Sequence, residues 1–276
     1  MNRHLAHRTS PLALTESLWF HRVLIGQLVK REILGRYRGS VFGLAWSFFN
    51  PVLMLVIYTF VFSVVFEARW GTKTSSSRAD FAMLLFIGLI VHGFFAECLT
   101  RAPSLILENV NFVKKVVFPL EILPLVVMGS ALFHSMISLL VLGIALLVSH
   151  GGLPLTVIYA PVVLFPLVLA TAGFAWFLTS LGVFARDVKQ VIGVLMTILL
   201  FLSPVFYPIS SVPAAFRPWL LANPLTFVIE QSRAVLFSGT PPDWSGLAVY
   251  GAASVVVASL GFAWFQKTRK GFADVV

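Results

Sequence analysis

The sequence predicts an all-α integral membrane protein. Six transmembrane helices are expected, with an N-terminal amphipathic interface helix, short re-entrant external helices between spans five and six, and both termini cytoplasmic. Three observations carry this expectation. First, 58% of the 276 residues are hydrophobic and 11% charged, against about 25% charged in ordinary soluble domains, and the mean hydropathy is +0.92. A water-soluble globule of that composition would leave large apolar patches uncovered, so lipid is the solvent for most of the chain. Second, six apolar stretches are long enough to approach the ~20 residues with which a helix crosses a bilayer core, where every backbone amide must be satisfied within its own segment. Third, alternate sides of those stretches hold fifteen and five of the twenty Lys and Arg residues.

Residues 1–40 read as a cytoplasmic segment. Between about 15 and 37, Leu24, Ile25, Leu28, Val29 and Ile33, with Leu14 and Leu18 just before them, occupy about half a helical circumference; Gln27, Lys30, Arg31 and Arg38 lie largely opposite. Such a helix rests in the membrane interface without crossing it. The transmembrane domain, 41–265, is expected to hold spans at about 41–66, 81–100, 120–148, 153–185, 191–207 and 247–265, followed by a cytoplasmic tail, 266–276. Pro51 interrupts the hydrogen-bond ladder of the first span and should kink it. Gly39 and Gly43 form a G-x-x-x-G pattern at its mouth, read as permitting close helix approach. Seven basic residues precede the first span, and positive charge is retained on the cytoplasmic side.

Two connections are more than spacers. Residues 101–119, RAPSLILENVNFVKKVVFP, mix charged and apolar side chains in a way that suits a short helix on the cytoplasmic surface. Residues 208–245 form the longest external connection, with two mixed apolar segments separated by Asn223 and Pro224, a helix break. Irregular backbone at membrane depth persists only against protein or a water-filled cavity, which suggests a gate or a ligand pathway.

The net charge of +9 belongs with cytoplasmic loops beside anionic lipid and not with a nucleic-acid partner. Cys98 is the only cysteine, so an intramolecular disulfide is excluded. The chain contains no G-x-x-x-x-G-K-[ST] phosphate loop, no paired-histidine metal motif and no G-x-S-x-G nucleophile turn; neither catalytic residues nor a metal site are expected. Four ionisable residues at membrane depth, His92, Glu97, Glu121 and His134, are read as structurally paired, the histidines through interhelical hydrogen bonds. The aromatics of the first and fifth spans, above all Trp46 and Tyr58, have the mixed chemistry to stack on sugar faces, although lipid-facing belts account for most such rings.

Four ordered segments together carry a family resemblance. RYRGSVFGLAWSFFNPVLMLVIYTFVF (36–62), NVNFVKKVVFPLEILPL (109–125), ARDVKQVIGVLMTILLFLSPVFYP (185–208) and NPLTFVIEQSR (223–233) resemble, in order and spacing, the permease subunits of polysaccharide-exporting ABC transporters of the type-2 family. The likeness is to the O-antigen (Wzm-like) group and its capsule and teichoic-acid relatives. It implies a homodimer in the bacterial cytoplasmic membrane, two separate cytoplasmic P-loop ATPase subunits that bind ATP and magnesium, and a lipid-linked polysaccharide as cargo. By carry-over, Glu108, Asn109, Asn111, Lys114 and Lys115 would couple to the ATPases. Trp46, Phe49, Tyr58, Phe201, Phe206 and Tyr207 would line the channel. Arg36 and Arg38 would meet the pyrophosphate of the lipid carrier, or anchor to anionic lipid. Asn223, Pro224, Glu230 and Arg233 would belong to the external gate. The alternatives are a type-2 exporter of a drug or smaller lipid and, in another class, a membrane glycosyltransferase; the scattering of the eleven acidic residues weighs against the enzyme.

Overall fold

The computed structural model describes residues 16, 19–61, 78–114 and 118–275. Helix α1 is Arg22–Arg36. A 3-10 turn, Gly43–Ala45, leads into α2, Trp46–Phe60, with Pro51 inside it. Helix α3, Arg78–Arg101, is followed by the short helices α4, Leu105–Glu108, and α5, Val110–Lys114. Next come α6, Leu123–His150, α7, Ala160–Phe184, and α8, Val188–Leu202. Helices α9, Arg217–Leu221, and α10, Pro224–Arg233, occupy the long connection, and α10 widens into a π-helical turn over Ala234–Ser238. Helix α11, Trp244–Thr268, and a last turn, α12, Phe272–Val275, complete the chain. No strand occurs among the described residues.

Among the described residues, five helical stretches are long and apolar enough to cross a membrane: Gly43–Phe60, Ala79–Glu108, Leu120–His150, Leu155–Phe184 and Trp244–Gly271. The expected fifth span, 191–207, is a helix of only 15 residues, about 22 Å at 1.5 Å per residue, short of a ~30 Å hydrocarbon core. Its stop has a local cause. Pro204 forces the preceding residue out of the helical region, and Ser203 is extended at φ −90°, ψ 150°. The last part of the first expected span, 62–66, lies outside the described residues, as do Leu14 and Leu18.

Helix α3 is the hub: 72% of its apolar window is buried, against 6% for that of α2. It packs on α6, α10, α2, α7 and α8. The most extensive pair is α7 with α11, and glycine makes it possible. A Cβ on Gly261 would lie 2.0 Å from the carbonyl oxygen of Gly173, and one on Gly173 would lie 2.4 Å from that of Val257. Among the described residues nothing makes the expected close approach at Gly39 and Gly43. Both sit in the turn before α2 with φ of +84° and +51°, and a Cβ on either would meet nothing within 4 Å. Both supply the left-handed backbone of that turn.

Contacts sort the helix ends into two groups. At one end, Arg269 bonds Glu121 at 2.7 Å, Lys189 lies 3.9 Å from Glu108, and Gly182 abuts Pro103. At the other, His150 meets Asp80 at 3.0 Å and the Thr156 hydroxyl donates to the Val235 carbonyl at 2.7 Å. Helix α8 starts in the first group, and the chain after it meets the second-group segment, where the Asn223 amide donates to Ser203 at 2.9 Å.

Helix α1 does not rest on lipid alone. Leu28 is buried against Ile122 and Val126, with Leu24, Ile25, Val29 and Phe118 packed around them. Val29 sits so close to Gly129 that a Cβ there would meet its Cγ2 at 2.5 Å. The apolar stripe expected for a lipid surface is therefore spent in part on the protein itself.

Candidate functional site

Between α2, α3, α6 and α8 lies an open chamber of about 470 Å3. Its wall carries Asn50, Tyr58 and Ser135, whose side chains have no hydrogen-bond partner among the described residues, beside His92, Glu97 and His134. Pro51 adds to this polarity, because it has no N–H with which to satisfy the carbonyl of Ser47, another lining residue. Unpaired polar groups at membrane depth are costly unless water or a ligand meets them. The chamber can therefore hold water or hydroxyl groups; Arg36, Tyr37 and Ser138 add to its polar side, and Met54, Phe86, Leu89 and Leu200 form its apolar side.

The histidines are fixed by their neighbours. His92 Nε2 lies 3.0 Å from the Met196 carbonyl, so that nitrogen is the one that donates, and the bond ties α3 to α8. His134 Nδ1 is 2.7 Å from the Ser130 carbonyl, which leaves Nε2 to accept from the Tyr37 hydroxyl at 2.8 Å. Burial pushes the Tyr37 phenol above its ordinary pKa, with Arg36 opposing and Glu97 adding; it stays a neutral donor. Both histidines thus make the interhelical bonds expected of them. Glu97 and Glu121 are likewise paired, with Arg36 at 2.6 Å and Arg269 at 2.7 Å.

The structure does not gather the six channel aromatics on one wall. Phe49 and Tyr58 are nine residues apart on α2, which at 100° per residue sets them on opposite faces. Tyr58 lines the chamber, whereas Trp46 and Phe49 join Phe42 along the outward face of α2. Phe201 is exposed near the end of α8 and stacks on Phe206 with ring centroids 5.7 Å apart; the Tyr207 hydroxyl donates to the Phe201 carbonyl at 3.0 Å. Of the basic pair, Arg38 is exposed, while Arg36 already holds Glu97.

In the 101–119 loop the expected single helix is two short ones. Asn109 breaks them, its side chain donating to the Leu105 carbonyl at 2.9 Å. Leu105 and Ile106 are buried, Glu108 and Asn111 exposed. Lys114 ends α5, and Lys115 lies outside the described residues. The external connection has the expected break: Asn223 caps α10 by accepting from the Leu225 N–H at 2.9 Å, and Pro224 opens the helix. Arg233 is buried, donating from Nε to the Leu84 carbonyl (3.0 Å), from Nη2 to the Val205 carbonyl (2.9 Å) and from Nη1 to Glu230 (2.9 Å). It fastens α10 to α3 and to the stretch after α8.

Residues that sequence reading missed are Asn50, Ser135 and the partners Glu32 and Arg101, which bond one another. The signal for the last two was present. Glu32 and Arg36 are four residues apart, as are Glu97 and Arg101, a spacing that puts each pair on one helical face.

A bundle of membrane-length helices around a chamber with polar and apolar walls is the architecture of an integral membrane protein. The chain belongs to the ABC-2 type transporter family, whose pattern it matches over residues 23–237. It is 30% identical over 271 residues to the O-antigen export system permease protein RfbA of Myxococcus xanthus, covering 96% of this chain and 100% of that one. It is 25% identical to a protein of the same name from Klebsiella pneumoniae, over 92% of this chain and 95% of that one. It is also 23% identical to the polysialic acid transport protein KpsM of Escherichia coli, over 89% and 93%.

Proposed function

We propose that this protein is the permease subunit of an ATP-driven exporter that moves a lipid-linked polysaccharide, of O-antigen or capsular type, across the cytoplasmic membrane. The end-to-end similarity to export permeases supports the cargo class. The observation that carries the reading in this molecule is the state of α2. Its apolar window is 6% buried: one face exposes Trp46 and Phe49, and Asn50, also exposed, opens on the chamber beside Tyr58. Lipid solvates the rings but not a side-chain amide, so the chamber side of α2 calls for a water-filled path, and a second protomer set against α2 would border it. A homodimer placing the open faces of α2 and α8 around a shared conduit meets that requirement. Rings there stack on sugars, and the chamber behind Tyr58 offers unpaired donors and acceptors to hydroxyl groups.

In this arrangement α8 and the chain to Tyr207 form the sixth crossing, because α8 begins beside Glu108 and the chain that follows it meets Asn223. Both termini are then cytoplasmic, in agreement with the basic residues. Helix α1 and the loop holding Glu108, Asn109, Asn111, Lys114 and Lys115 form the docking face for two P-loop ATPases, which carry the ATP and magnesium. Asn223, Pro224, Glu230 and Arg233 belong to the outer gate. Arg38 is the open cation for a lipid-carrier pyrophosphate; Arg36 reaches it only by releasing Glu97. Deleting the gene should leave completed glycan accumulating on its lipid carrier on the cytoplasmic side, and the full-length chain should clear it. Normal surface glycan in the deletion strain would refute the assignment.

A further inference from the structure

Helices α1 and α3 carry the same charge pattern, Glu-x-x-x-Arg, at 32–36 and 97–101. Four residues rise about 6 Å along a helix, so two copies of the pattern run in opposite directions are complementary. The structure makes that match. Arg36 bonds Glu97 at 2.6 Å, and Arg101 bonds Glu32. Beside them Tyr37 donates to His134 of α6, and Leu28 and Val29 seat α1 on Ile122, Val126 and Gly129. Helix α1 thus packs on α6 and reaches α3 through the two ion pairs, and Arg101 is the last residue of α3 before the 102–119 stretch begins.

We propose that Glu32, Arg36, Glu97 and Arg101 are positioning residues. They clamp α1 to the end of α3, so that a push on the cytoplasmic loop moves both helices as one body. This inference rests on the reading of that loop as an ATPase docking face. All four side chains are between about one-fifth and one-half exposed, and exposed ion pairs add little to stability. Their reciprocal spacing instead fixes direction and register: a slip of α1 by one turn would set like charges face to face. The apolar contacts of Leu28 hold α1 in place, and the four charges decide where along α3 it sits.

The test uses the full chain with its ATPase in proteoliposomes, reading glycan exported per ATP hydrolysed, and backbone hydrogen exchange of α1. Arg101→Glu and Glu32→Arg should each lower the export ratio at least fivefold while the complex still assembles. Each should also speed exchange in α1. The double variant E32R/R101E should restore both readouts to within twofold of the wild type. A double variant as defective as the single ones, or single variants with an unchanged ratio, would overturn the clamp. If the wild-type complex shows no link between ATP turnover and export, the docking-face reading fails instead, and rescue of exchange by the double variant still decides whether the clamp exists.

Discussion

At the residue scale, side chains of one helix part company according to the face they occupy. Tyr58 shares the chamber with Asn50 and Ser135, while Phe49 lies half a turn away on the open face. Tyr58→Ala should cut glycan export on the order of tenfold, the equivalent of one hydrogen-bond or ring contact, with dimer assembly unchanged by cross-linking. Phe49→Ala should weaken dimer assembly as well. Equal loss of assembly in both variants would make Tyr58 a packing residue. Sequence identified Tyr58 by type but not its facing, because an all-round apolar helix has no polar side to reveal its orientation. Arg233 was placed at the gate from sequence; its three bonds to Leu84, Val205 and Glu230 join segments up to 149 residues apart. Such pairings are invisible to spacing rules, which see only neighbours along a helix. The Glu-x-x-x-Arg pairs were visible to those rules, but their meaning depends on two helices meeting.

At the scale of elements, helix existence was legible and helix contact was not. Hydropathy foresaw the five described helices that are long and apolar enough to cross a membrane, and Asn223-Pro224 correctly marked the break before α10. The short α8 was legible as well in Ser203-Pro204, a stop signal that the apolar run from 191 to 207 concealed. The glycines misled, since G-x-x-x-G at 39–43 serves a turn, while the close crossing uses Gly173 and Gly261 on different helices. Gly261→Ala should therefore force α7 and α11 apart and cost about 1–3 kcal/mol, because the added carbon meets a backbone oxygen that no rotamer change can move. Gly143→Ala, with nothing within 4 Å of its Cβ, is the matched control. Thermal unfolding in detergent checks the pair: a lowered midpoint for Gly261→Ala alone is expected, and equal midpoints would contradict the close crossing.

At the scale of the molecule, an apolar, basic chain carries the ABC-2 family pattern over most of its length. The chamber, the open α2 face and the clamped α1 all sit in or beside the span bundle that the ABC-2 family pattern covers. Permeases of this family work with ATP-binding partner subunits, and a partner that changes shape as it consumes ATP would give such a pathway its direction. The most direct measurement places the purified chain in vesicles with lipid-linked glycan, with and without its P-loop ATPase and ATP. Accumulation of glycan against its gradient only when chain, ATPase and ATP are all present is the predicted result; uphill transport by the chain alone would contradict it.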